Sequence, residues 1–131
     1  MKRTRLSEGQ MLLFIRVFLV LYGLIAVATG VSAFLEPYDG ITEPFEDNSH
    51  RFIAAIWAST VLGFFYVAWR PSETALFRFL LSALFIGGVV RAGALVHYSP
   101  DLAIVAVILL ELIPTPLMWA MQSSLMKSGR I

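Results

Sequence analysis

Four stretches of this 131-residue chain are too apolar and too long to be hidden inside a protein of its size. Residues 11–35 carry one charge, Arg16, and residues 52–69 carry none. Residues 76–96 hold Arg78 near their start and Arg91 within, and residues 102–121 contain Glu111. Each run is close to or above the roughly 20 residues with which a helix crosses a hydrocarbon core. With 58% hydrophobic and 15% charged residues, lipid is the expected solvent for much of the surface. The runs lack the apolar-polar alternation of barrel strands, so a helix is the form that satisfies their backbone groups in lipid. The expected fold is all-α, a polytopic integral membrane four-helix bundle. It forms a single transmembrane domain over residues 1–131, with an outer loop at 36–51.

Charge placement orients the bundle. Lys2, Arg3, Arg5, Arg70, Arg78, Lys127 and Arg130 fall on one side, whereas Arg51 alone flanks the other. Both termini are therefore expected to be cytoplasmic. The opposite side receives Glu36, Asp39, Glu43, Glu46 and Asp47 in the first loop, then the short turn at Tyr98 to Asp101. A basic start followed by an apolar run and Val31-Ser32-Ala33 also fits a signal peptide. The run is well beyond a signal core of about 7 to 15 residues, so it is expected to stay as the first span. In the outer loop "EPYD" and "EPFE" repeat a stiffened acidic-aromatic unit, read as a solvated cap, or as a cation-gathering mouth or a lid. Asp47, Asn48 or Ser49 is expected to cap the second helix, and Ser99-Pro100 to start the fourth.

Helices in lipid associate through small residues that let backbones approach. Gly23, Ala26, Gly30 and Ala33 form one such stripe, and Ala55, Ser59 and Gly63 a second. Ala83 and Gly87 form a third that leads to Arg91 and is expected to face it toward other helices. The stripes fit packing within one bundle or a homo-oligomeric contact.

The charges within the spans divide by direction. Side chains lean toward a helix N-terminus, so Arg16, Arg51 and Arg78, each near the start of its helix, lean toward water. Arg91 sits near the outer end of an outward-running helix and leans into the membrane, over Gly87 and Gly88. Glu111 lies roughly 14 Å below the start of the returning helix, at about 1.5 Å per residue, and leans outward. The two should meet as a buried ion pair on adjacent antiparallel helices. Beside them, Pro114 and Pro116 withdraw the amide donors of the Leu110 and Leu112 carbonyls. The result is either a ligand site at a broken helix or a kink satisfied by Thr115 or by neighbours. Tyr22 and Tyr66 are further hydroxyls within reach of this reading.

Other chemistries find little support. Without cysteine there is no disulfide framework, thiolate metal cluster or cysteine nucleophile. His50 and His97 both fall near the outer surface, which does not suit a bis-histidine haem. With Asp47 and Asp101 they offer metal-ligand types on one side, without motif spacing. They and Arg51 are kept as outer-side contributors to a polar centre, and no cofactor or metal is expected. A formal charge of +1 with dispersed basic residues argues against nucleic acid. No phosphate loop or catalytic triad spacing is present, and enzymatic activity has no positive support.

Arg51-Phe52, Gly87-Gly88 with Arg91, and Glu111 resemble the small bacterial four-helix membrane proteins of domain-of-unknown-function family 4345, over most of the chain. The architecture is also similar to that of the wider DoxX-like membrane proteins. The resemblance implies a bacterial cytoplasmic membrane location and marks Arg51, Arg91 and Glu111, and it carries no activity. Some DoxX-like relatives are linked to quinone or thiol redox chemistry, and the absence of cysteine removes the thiol part.

The leading expectation is a non-enzymatic membrane protein whose polar centre is Arg91, Glu111, Pro114, Gly87 and Gly88. That centre organises the bundle and receives a lipid or quinone headgroup, so the partners are membrane lipid and an amphiphilic small molecule. The alternatives are a proton-coupled carrier of small cations working through Glu111, and an accessory subunit of a larger membrane complex.

Overall fold

The structure of the chain is a computed structural model that describes residues 6–35 and 43–131. Lys2, Arg3 and Arg5, and Glu36, Tyr38 and Asp39 of the first connection, lie outside the described residues. The described residues are all helical or connecting: α1 (Glu8–Leu35), α2 (Pro44–Trp69), α3 (Thr74–Ala94), α4 (Leu102–Leu112) and α5 (Pro114–Lys127). α4 and α5 follow one another as a single span, so four segments among the described residues are long and apolar enough to cross a membrane. Their outward faces carry large apolar side chains such as Phe52, Leu62 and Val90, as lipid contact requires.

The spans run antiparallel in sequence order. Gly23 of α1 packs beside Phe64 and Phe65, Gly63 of α2 beside Leu80, and Gly88 of α3 beside Glu111 and Leu112. The tightest approach is between α1 and α2. A Cβ on Gly30 would lie 2.7 Å from the Ala54 carbonyl oxygen, the Ala58 nitrogen and the Ala58 Cβ. The small-residue face of α2 is thus Ala54 and Ala58, both buried, and not the expected Ala55, Ser59 and Gly63. Ala55 and Ser59 are exposed and Gly63 faces α3. A four-residue repeat recurs at neighbouring offsets on a helix, and only the partner helix chooses between them.

The second helix starts earlier than its hydropathy suggests. Residues 44–51 belong to α2, so the outer loop does not extend to residue 51. Pro44 holds the first-turn backbone angle, and Glu46 and Asp47 sit where the helix N-terminus attracts negative charge. The expected caps Asp47, Asn48 and Ser49 are therefore inside the helix, and Glu43 occupies the N-cap without a side-chain bond. "EPFE" is this helix start. At α4 the cap is Asp101, whose carboxylate accepts from the Ile104 amide at 2.8 Å, in place of the expected Ser99-Pro100.

The buried core occupies one half of the bundle. Ile15, Leu19 and Tyr22 meet Phe64 and Val67 of α2, Phe77 and Leu81 of α3, and Met118 and Leu125 of α5. Phe14, Phe18, Tyr22 and Phe64 form a ladder of rings with centroids 4.4 to 6.1 Å apart. Gln122, fully buried, ties this half together by donating to the Pro71 carbonyl at 2.8 Å. Toward the other end α2 and α3 part, and the packing there reduces to α1 on α2 and α3 on α4.

Candidate functional site

Where α2 and α3 part, a cleft of about 660 Å³ opens between them, within the size range of small-molecule sites. Ile53 and Trp57 of α2 and Phe79, Leu80 and Leu84 of α3 give it apolar walls. The stripe Ala83, Gly87 and Arg91 lies along the α3 wall. That stripe was expected to meet another helix and instead borders open space, since a Cβ on Gly87 would meet nothing within 4 Å. Gly88, one position on, is the packing glycine. A Cβ there would lie 2.9 Å from Glu111 Cβ and from a Leu112 methyl, so the missing side chain lets α4 bring Glu111 to the cleft.

Arg91 and Glu111 do meet, with Arg91 Nε 3.3 Å from Glu111 Oε1. The pair is lopsided, which corrects the expectation of full burial. The Glu111 side chain is 10% exposed, whereas that of Arg91 is 57% exposed. The cleft is the reason: α3 presents Arg91 to a gap, while α4 holds Glu111 behind Gly88. Glu111 Oε2 is sealed and has no hydrogen-bond partner among the described residues.

Pro114 separates α4 from α5 at Ile113. The Leu110 carbonyl that it deprives of an amide accepts the Tyr22 hydroxyl at 2.5 Å. Thr115 turns its hydroxyl back to the Glu111 carbonyl at 2.6 Å. At Leu110 the break is therefore satisfied inside the protein, and its effect on the site is to shape the backbone below Glu111. Tyr22 was only loosely tied to this region by sequence. The usable signal was its place on the buried face of Ile15, Leu19 and Ala26 at three- and four-residue spacing. Tyr66 points elsewhere, toward Glu73 at the opposite end.

The outer-side contributors separate. His50 lines the cleft. Arg51 does not: its Nε pairs with Asp47 at 2.8 Å and its terminal nitrogen donates to the Phe34 carbonyl at 2.6 Å, closing the C-terminus of α1. His97 is exposed in the turn after α3, outside the cleft. No group of three or more metal-ligating side chains occurs among the described residues.

Two side chains that sequence did not single out complete the wall. Trp57 donates its ring N–H to Thr29 at 2.9 Å, and Thr29 donates onward to the Ile25 carbonyl at 2.7 Å. Two other cavities are less equipped. One, about 430 Å³ between α3 and α5, is lined almost wholly by apolar groups, with Arg78 held beside it over the Trp119 ring, 4.9 Å from its centroid, and by Gln122 and Ser123. The other, about 480 Å³, lies between Arg16 and Trp69.

The profile of a family described as Domain of unknown function (DUF4345) matches residues 14–122, a stretch that contains the buried core apart from Leu125, the cleft and the Arg91–Glu111 pair. The chain belongs to the DUF4345 family. No curated protein matches it, and no solved structure does. For this DUF4345 protein the four apolar spans describe a multi-pass membrane protein, and its candidate site is the cleft that ends at Arg91 and Glu111.

Proposed function

We propose that this protein is a non-enzymatic, multi-pass protein of the bacterial cytoplasmic membrane that takes up the headgroup of an amphiphile, a lipid or a quinone, at Arg91 and Glu111. The observation that carries the reading is their coincidence in one cleft: apolar walls for a tail, and at the end a guanidinium and a nearly buried carboxylate. Arg91 holds a headgroup oxygen, as a fork of N–H donors does, and Glu111 accepts a hydrogen bond and balances the charge. Gly87 leaves the wall open and Gly88 positions Glu111. In this reading both termini are cytoplasmic, because Arg70, Arg78, Lys127 and Arg130 gather at the end of the bundle away from Arg51.

The test is extraction of the protein into polymer-bounded native discs, followed by mass spectrometry of the retained lipids and quinones. One species enriched over the surrounding membrane, and lost from an Arg91→Met variant, is the expected result. A retained composition equal to that of the bulk membrane refutes the proposal.

A further inference from the structure

The hydrogen-bonding inventory of the cleft narrows what the headgroup can be. The Trp57 ring N–H is taken by Thr29, the Thr29 hydroxyl by the Ile25 carbonyl, and the Thr60 hydroxyl by the Trp57 carbonyl at 2.6 Å. The donors of the wall's other polar side chains are thus taken within the protein, two of them by backbone carbonyls, and His50 has an interaction of its own. Unfilled capacity remains at the end of the cleft. Glu111 Oε2 lacks a donor, and the two terminal nitrogens of Arg91 have no acceptor among the described residues.

We infer that the cleft selects an uncharged amphiphile whose headgroup bears a hydroxyl, an alcohol or a phenol, over anionic lipids and over headgroups that only accept hydrogen bonds. The inference rests on the proposed function and narrows it: hydroxylated lipids and the hydroxyl-bearing, reduced form of a quinone remain, and the carbonyl form of a quinone is set aside. A hydroxyl donates once and accepts through its lone pairs, so it serves Glu111 and Arg91 together. A quinone or ester carbonyl accepts only; it reaches Arg91 and leaves the carboxylate oxygen without a donor, which is the costly state for a buried polar group. Charge acts in the same direction. Arg91 and Glu111 together are neutral, so an anion gains the guanidinium but meets the carboxylate 3.3 Å from it, on the nearly buried side of the pair where screening is weak. An uncharged headgroup leaves the balance intact. Glu111 Oε2 is sealed in this structure, and a partial turn about the last carbon–carbon bond, a broad torsion, is enough to bring it toward a donor without putting Oε1 in its place.

Three probes with the same tail test this: 4-octylphenol, its methyl ether 4-octylanisole, and the anion 4-octylbenzoate. Each is titrated into the full-length protein in phosphatidylcholine nanodiscs, with empty discs as the partition control. Tryptophan fluorescence is the readout, since Trp57 lines the cleft. The phenol should bind tighter than the ether by on the order of tenfold to a hundredfold, the size of one hydrogen bond to a charged group. It should also bind tighter than the benzoate. Gly87→Leu places a side chain into the cleft without meeting protein atoms at its Cβ, so it should weaken phenol binding while the thermal midpoint holds. Saturable binding of phenol and ether with equal affinity overturns the hydroxyl rule and leaves the proposed function standing. Tighter binding of the benzoate overturns the neutrality rule alone. Phenol binding unchanged by Gly87→Leu puts the ligand outside this cleft, and no saturable binding of any probe removes both readings.

Discussion

Replacing Arg91 by methionine and replacing Glu111 by glutamine break the same ion pair, yet the structure makes their costs unequal. With Arg91 gone, the Glu111 carboxylate is left 10% exposed, behind Gly88, with one oxygen already lacking a donor. An uncompensated charge in that position corresponds to the loss of one partner from a buried pair, about 3–5 kcal/mol. With Glu111 changed to glutamine, the remaining charge is on Arg91, whose side chain is 57% exposed and lies one turn from the end of α3. Freed of its partner it can swing from its lean along α3 toward the headgroups beyond the nearby helix end, so the cost is that of a solvated pair, about 1 kcal/mol or less. Changing both residues to methionine removes the charge problem and should be neutral or stabilising. Unfolding free energies from SDS titration in mixed micelles give all three values on one scale. Equal losses from the two single variants would refute the reasoning, because they would mean that Arg91 is as enclosed as Glu111. A costless Arg91→Met would mean that Glu111 carries no unpaired charge in the bundle.

Two further outcomes follow from the packing. Gly30→Ala and Gly87→Ala gain the same helix propensity, so that contribution cancels between them. The Gly30 variant must move α2 backbone 2.7 Å from the new Cβ, at an overpacking cost of about 1–3 kcal/mol, whereas the Gly87 variant meets nothing. Stabilities within about 0.5 kcal/mol of each other contradict the close approach of α1 and α2. Tyr22→Phe should cost about 1 kcal/mol by stripping the donor from the Leu110 carbonyl. In a Pro114→Ala background the restored amide can serve that carbonyl, and the cost should shrink. A double-mutant cycle with no coupling sinks the assignment of Tyr22 as the proline's substitute donor.

The legible part of the site was the part set by direction along a helix. Arg91 leans toward the start of α3 and Glu111 toward the start of the antiparallel α4, so their meeting could be placed from residue numbers and loop length. How far each is enclosed could not, because burial depends on which neighbouring helix fills the space beside it. The same distinction separates Gly87 from Gly88. Both read as small residues near Arg91, but one borders the cleft and the other carries α4, a difference of about 100° around the axis that only a docked neighbour converts into contact or void.

By itself, then, the sequence determined the four spans and their helical form, since lipid imposes backbone self-satisfaction on any long apolar run. It also placed one unmatched positive and one unmatched negative charge on helices that must lie side by side. Tertiary structure decided the rest. It chose Ala54 and Ala58 over the equally spaced Ala55 and Ser59 as the seat for Gly30, and supplied Tyr22 from 88 positions away to the carbonyl that Pro114 leaves bare. By packing α2 and α3 at one end and parting them at the other, it opened the cleft. Periodicity fixes which residues share a face, whereas the relative rotation and splay of helices arise from all the facing side chains at once.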